Sequence, residues 1–435
     1  MKDMHDYGAR PRYFNQRRRL LLTACLAAAG IATAMAVSQG GRAGTGDSLT
    51  GADAATSPHT LQLTSPGPTG LSADNQVAGP RAATVSIDDT RMRVRAAKVP
   101  FAGIAKGMRN VAIVVEGVWT VAAPDADGHF SAVVDLSRAA HGPITVDVHA
   151  WDTPPDNHAF KTALNLRVHL FVEGGTDGTP PAERPKGHPA HGRTLVWSET
   201  FDTLSPQVWY AGPKPDGQEY SAAAFLGYGS EEASPYTIQE GFLRIRARYD
   251  ARRVDPAGFG RKWTTGHLST GFPDGSVAAG FRKGYAEVRM LLPAGPGCWP
   301  SFWLLDQTSI LNSARDGAVE IDVIEGYGHA TQSYVATEHD WPPPPNTTGH
   351  PIKQRNITGL PDYSLGFHDY GVEITESELI FYFDGFEKYR APLFRTASQS
   401  PFFLMLTLAI SQDWPVMIPP AGYYDLWIDQ VRIYR

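Results

Sequence analysis

Val319-Glu320-Ile321-Asp322-Val323-Ile324-Glu325-Gly326 is the stretch on which the reading of this chain turns. Valine and isoleucine fill the uncharged positions, which favours a strand over a helix. Residues two apart in a strand share a face, so Glu320 and Asp322 point one way and Ile321 the other. Glu325 stands at an odd offset from Glu320 and faces the opposite side of a regular strand. One extra residue, a β-bulge near Val323-Ile324, returns it to the acidic face. Three carboxylates on one face of an apolar strand are costly unless that face opens into a cleft. Crowding them raises at least one pKa, because neighbouring like charges resist ionising together. A carboxylate that attacks, beside a second kept protonated, is the pair that cleaves a glycosidic bond with retention. A solvated strand face or a calcium site are the alternatives at this point.

The neighbouring segments extend the pattern. Upstream, Gly284-Tyr285-Ala286-Glu287-Val288-Arg289-Met290 alternates as a strand and leads into Gly297-Cys298-Trp299-Pro300-Ser301-Phe302-Trp303-Leu304-Leu305. Downstream come Thr337-Glu338-His339-Asp340-Trp341, then Phe367-His368-Asp369-Tyr370-Gly371-Val372-Glu373, then Phe381-Tyr382-Phe383-Asp384-Gly385. Pro401-Phe402-Phe403-Leu404-Met405-Leu406 and the closing Trp427-Ile428-Asp429-Gln430-Val431-Arg432-Ile433-Tyr434 complete the set. Nearly all read as strands, and the acidic one lies among tryptophans and histidines.

In this order and spacing the segments resemble glycoside hydrolase family 16, the laminarinase, lichenase and carrageenase group, from about Leu195 to Arg435. The family signature is E-x-D-x-E or the bulged E-x-D-x-x-E, and EIDVIE is the bulged form. The resemblance implies a concanavalin-like β-jelly roll of two curved antiparallel sheets with a cleft across the concave one. It implies Glu320 as nucleophile, Glu325 as general acid/base, and Asp322 as the residue that holds the nucleophile and tunes the charge between them. Trp299 and Trp303 resemble residues that flank the cleft and stack on sugar rings, although their shared strand parity also allows one to be core. His339 resembles a residue on the leaving-group side, against solvent exposure as the alternative. Trp341 and Trp414, in proline-rich loops, are further substrate-binding candidates. Asp429 resembles the family aspartate that ligates a structural calcium, with a surface carboxylate as the alternative; no cofactor is expected for catalysis.

The rest of the chain is read from composition. At 435 residues it is too long for one ordinary core. Plentiful glycine and proline with 11% aromatic residues suit a turn-rich β protein. A net charge of −6, with no basic stripe beyond the N-terminus, excludes a nucleic-acid or anionic-membrane partner by electrostatics. Residues 1–36 read as an export signal: Arg17-Arg18-Arg19, an apolar run, then Ala34 and Ala36 for cleavage, with a partial resemblance to a twin-arginine signal. An uncleaved anchor is the alternative, and Cys25 has too few apolar residues before it for a lipoprotein box. With Cys25 in the leader, Cys298 is left as a single thiol in an apolar setting, expected to be buried and inert. Residues 37–84 and 174–192 read as linkers, rich in small residues and proline. Between them, 85–173 alternates in short runs that suggest a small Ig-like β-sandwich, in which Trp119 and Trp151 either line a sugar-binding face or belong to the core. Residues 193–435 make up the catalytic domain.

These features together lead us to expect a secreted or periplasmic, monomeric, endo-acting retaining β-glycanase with a polysaccharide substrate and no stable membrane partner once the signal is removed. The bulged motif argues against the lichenase branch. The leader and accessory module resemble enzymes that trim an exported, glucose-containing exopolysaccharide; laminarin-type β-1,3-glucan is the alternative substrate. A non-catalytic glycan-binding protein and a transglycosylase on the same fold are the competing classes.

Overall fold

The computed structural model describes residues 60–65, 71–74, 84–152, 163–174, 184–217, 219–230, 232–311, 317–343, 350–394, 400–411, 415–418 and 422–435. The expected leader, residues 37–59 of the first expected linker, 175–183 of the second, and Trp414 lie outside them. Among the described residues the protein is all β, with one four-residue helix, Thr308–Leu311.

In the C-terminal part a ten-stranded sheet packs on an eight-stranded one. Period-two alternation builds the layer between them. Phe302 and Leu304 of the strand Cys298–Asp306 and Leu404, Leu406 and Leu408 of Phe402–Ile410 meet Val288, Met290, Leu426 and Val431 from the other sheet, all fully buried. Each such side chain contributes about 1.5–3 kcal/mol relative to exposure. Phe402–Ile410 is buried at all nine positions, because its other face is roofed as well. There Phe403 and Met405 pack with Trp303 and Tyr220, and Ala409 packs with Trp299 and Phe225. This is the two-sheet architecture expected of residues 193–435. Cys298 is buried, and burial pushes its thiol up to about 12, so it is inert as expected.

The N-terminal part is a smaller sandwich of a four-stranded and a five-stranded sheet. Its extent corrects the expected boundary at residue 84. Thr60–Ser65 and Leu71–Asp74 are strands, and Leu61 and Leu63 are buried in its core. The alternation in TLQLTS is a half-buried edge signal that a window of glycine, serine and proline obscures. Trp151 is buried beside Ala112 and Val114, whereas Trp119 is 53% exposed and stacks on His149.

The two sandwiches meet on the outer face of the ten-stranded sheet. Phe171 inserts among Phe242, Leu291, Trp427 and Phe367. Gly142 lies against the Phe242 ring, where a Cβ would come within 2.4 Å of it, and its φ of +125° also excludes other residues. Arg167, 5% exposed, grips Asp147 with two hydrogen bonds of 2.6 and 2.8 Å and donates a third, of 2.8 Å, to Ser364. Arg93 bridges Glu173 and Glu240 across the same seam. The second expected linker is likewise bound where it is described. Arg184 is buried in ion pairs with Glu287 and Asp369, and Ala190 packs on Tyr285 and Tyr434.

Candidate active site

The acidic strand, Ala318–Gly326, lies between Cys298–Asp306 and Tyr334–Trp341 in the eight-stranded sheet. Its register sets three rows across the outer face: Leu305, Glu320 and His339; Trp303, Asp322 and Thr337; Ser301, Glu325 and Val335. Between Asp322 and Glu325 the acidic strand takes three residue steps while each neighbour takes two. That is the bulge expected from the odd offset. Its cause is visible in the core, where Val323 and Ile324 are both buried between the sheets. Two consecutive apolar residues turned inward require the backbone to give up one alternation, and Glu325 then returns to the side of Glu320 and Asp322.

His339 closes the cluster. Its Nε2 lies 3.1 Å from Asp322 Oδ2 and 3.9 Å from Glu320 Oε1. Burial works against its charged form, but the hydrogen bond and charge of Asp322, with Glu320 and Glu325 behind, lift its pKa to about 9. His339 is therefore a buried cation at neutral pH, and the exposed-loop alternative is set aside. Glu325 moves the opposite way in charge. Loss of solvent, then the nearby Asp322 and Glu320 carboxylates, raise it to about 8, with His339 and Trp299 pulling against them. Thr337 Oγ1 approaches Glu325 Oε2 at 3.5 Å. At pH 7 the centre thus contains a protonated carboxyl and an imidazolium next to two further acids. A proton donor stands ready beside carboxylates that can attack or stabilise positive charge.

The aromatic residues sort differently from expectation. Trp299 and Trp303 both lie on the acidic face, so neither belongs to the layer between the sheets. Both are nonetheless buried, at 8% and 5% exposure, because Tyr220 stands edge-on to each at 5.9 and 5.7 Å. Trp303 Nε1 donates to Thr407 Oγ1 at 3.0 Å, and the Tyr220 hydroxyl approaches the same oxygen at 3.3 Å. The two tryptophans lie beside the acids on that face, under a tyrosine that sequence reasoning missed. Tyr220 lies outside the strands, so no periodicity marked it. Trp341 turns its ring onto histidines, at 5.2 Å from His339 and 3.6 Å from His350, nearly parallel to both. Trp414 is outside the described residues.

Two places bear on metals. Among the described residues Glu320, Asp322 and His339 are the one group with donor atoms close enough to share a cation. The protonated His339 offers no lone pair there, and its Nε2 is already engaged by Asp322. Asp429, expected as a calcium ligand, faces the guanidinium of Arg289 at 3.3 Å, and the same arginine reaches Asp369 at 3.4 Å. That side of the Asp429 carboxylate is thus engaged by a guanidinium.

Comparison with known proteins is consistent with this geometry. Residues 267–415 match glycosyl hydrolases family 16. An endo-1,3-1,4-beta-glycanase, EglC, of Rhizobium meliloti (strain 1021) is 29% identical over 264 residues, covering 60% of this chain and 49% of its own length. The chain therefore spans about half the length of that relative. A beta-glucanase of Rhodothermus marinus is 28% identical over 267 residues, covering 55% of this chain and 85% of its own. The catalytic domain of an endo-1,3-beta-glucanase (laminarinase) from Thermotoga petrophila RKU-1 aligns with a TM-score of 0.44 at 23% identity, over 56% of this chain and 98% of that one.

Proposed function

We propose, from the match of residues 267–415 to glycosyl hydrolases family 16, that the chain is an endo-acting β-glycanase of that family that cleaves a glucose-containing polysaccharide with retention of configuration. The observation that carries this reading is the bulge, which gathers Glu320, Asp322 and Glu325 on one face with a proton held on Glu325 to about pH 8. In the first step Glu320 attacks the anomeric carbon while Glu325 passes its proton to the departing glycosidic oxygen. The shorter chain leaves, and a glycosyl ester forms on Glu320. In the second step Glu325, now ionised, takes a proton from water, and the hydroxide oxygen displaces Glu320 from the anomeric carbon. Asp322 and His339 form an ion pair beside both glutamates, so the site changes protonation without gathering excess negative charge.

A relative named an endo-1,3-1,4-beta-glycanase supports β-1,3 or β-1,4 bonds as the target, and the expected leader supports an exported polymer outside the cytoplasm. A bacterial exopolysaccharide is the substrate we favour, with laminarin-type β-1,3-glucan second. The test is incubation with succinoglycan-type exopolysaccharide, laminarin, mixed-linkage glucan and an algal galactan, with product sizing and anomeric proton NMR. Mid-chain cleavage releasing β-anomers first is the expected result. Release of α-anomers first would exclude double displacement, and intact polymer throughout would leave a glycan-binding protein.

A further inference from the structure

The geometry around His339 depends on a second histidine, His350. Beyond the strand Tyr334–Trp341 the sequence is rich in proline, and at His350-Pro351 the chain lies against the strand's end, where the Asp340 amide donates to the Pro351 carbonyl at 3.1 Å. That closure brings His350, 9% exposed, under the active site. Its Nε2 lies 2.9 Å from His339 Nδ1, on the far side of the ring from Asp322. Trp341 lies over the His350 ring at 3.6 Å and 26°, and over His339 at 5.2 Å and 13°. His339 is thereby fixed at both nitrogens and across its ring plane.

An imidazolium carries two N–H donors and needs two acceptors when buried. Asp322 supplies one. At 2.9 Å, two ring nitrogens face each other productively only when one carries a proton and the other a lone pair. We propose that His350 is a positioning residue of the active site, whose Nε2 accepts the Nδ1 proton of His339 and, with Trp341, holds His339 as a cation against Asp322 and Glu320. The groups facing His339 are Glu320, Asp322 and Glu325 on the acidic strand and His350 from the loop. With Glu325 protonated these sum to one negative charge when His339 is charged and two when it is not. The second acceptor therefore bears on how long Glu325 keeps its proton, because the charge of His339 pulls against it. For catalysis the inference rests on the glycanase reading, but its central claim concerns one histidine and is measurable without substrate.

The experiment uses the full chain and two variants. His350→Phe keeps a ring under Trp341 and removes the acceptor; His350→Gln keeps an acceptor oxygen and loses the ring. The ring of His339 is titrated by nitrogen-15 NMR with no polysaccharide present. A wild-type midpoint near 9 is expected. It should fall by about one unit or more in His350→Phe and return most of the way in His350→Gln, since loss of one charge-assisted hydrogen bond shifts a pKa by roughly that much. On a cleaved polysaccharide, kcat of His350→Phe should drop about tenfold to a hundredfold with KM little changed, as expected for lost positioning. Its basic limb should move up by about half a unit, because Glu325 has lost part of a neighbouring positive charge. A His339 midpoint unmoved in His350→Phe, or lowered equally in His350→Gln, would overturn the proposal and leave His350 as packing. Should wild-type protein cleave no polymer, the glycanase reading fails while the titration still decides the role of His350.

Discussion

Replacing Glu325 by glutamine should abolish turnover and also stabilise the protein, by an amount that grows with pH. In the folded chain, burial and the Asp322 and Glu320 carboxylates hold the Glu325 proton to about pH 8, against an ordinary value of 4.5. A carboxyl whose folded pKa is raised gives its full stability below the unfolded value and loses it as pH climbs to the folded one. Between about pH 4.5 and 8, then, the folded wild type binds more protons than the unfolded chain, and its stability falls as pH rises. Glutamine is neutral in both states and removes this slope. At pH 7 the gap of 2.5 units (7 − 4.5), at about 1.4 kcal/mol per unit, sets an upper limit of about 3.5 kcal/mol. For a sandwich of this size that corresponds to a rise in Tm on the order of 10 °C. His339 does not confuse the comparison below pH 8, because the folded wild-type carboxyl it faces is already neutral there. The assay is thermal or urea unfolding of both proteins at pH 5, 6, 7 and 8. A small difference at pH 5 that widens steadily to pH 8 is expected. A difference that is flat in pH, or a variant that becomes less stable as pH rises, would refute the idea that the fold maintains this proton at its own expense.

Other consequences are open to direct measurement. Deleting Val323 converts EIDVIE to a regularly alternating strand in which Glu320, Asp322 and Glu325 still share a face; the deletion should fold and retain measurable hydrolysis, less stable by about 2 kcal/mol for the lost buried valine. An inactive but folded deletion would show that the bulge sets more than the facing of Glu325. Removing residues 1–183 uncovers Phe242, Leu291 and Trp427, so the truncated protein should melt at least several degrees lower and aggregate more readily while keeping its kcat on short oligosaccharides. An unchanged Tm would mean the seam contributes nothing to stability. Chelation with EDTA should leave Tm where it is, since Arg289 already neutralises Asp429; a clear drop would place a structural cation somewhere in the chain.

What was legible in the sequence was what period-two patterning encodes. EIDVIE revealed its bulge because two apolar residues in a row cannot both face the core of a regular strand. The assignments that failed depended on pairs far apart in the chain. Phe171 and Phe242 look like ordinary core residues of separate modules, and only the fold brings their rings to 6.1 Å. Arg184 stands in a proline- and glycine-rich run that composition marks as linker, yet its guanidinium finds Glu287 and Asp369 on a neighbouring sheet. Trp299 and Trp303 were placed on the correct face, but parity cannot show that Tyr220 lies across them.

The seam between the sandwiches also gives the molecule a front and a back. In order through the body come the four-stranded sheet, the five-stranded sheet, the ten-stranded sheet, the eight-stranded sheet and then its acidic face. Thr60–Ser65 lies in the four-stranded sheet, at the end of this stack away from the acids. Anything that holds the protein by the accessory sandwich therefore holds it from behind and leaves Glu320, Asp322 and Glu325 directed outward. A polymer lying across that open side would not meet the accessory sandwich.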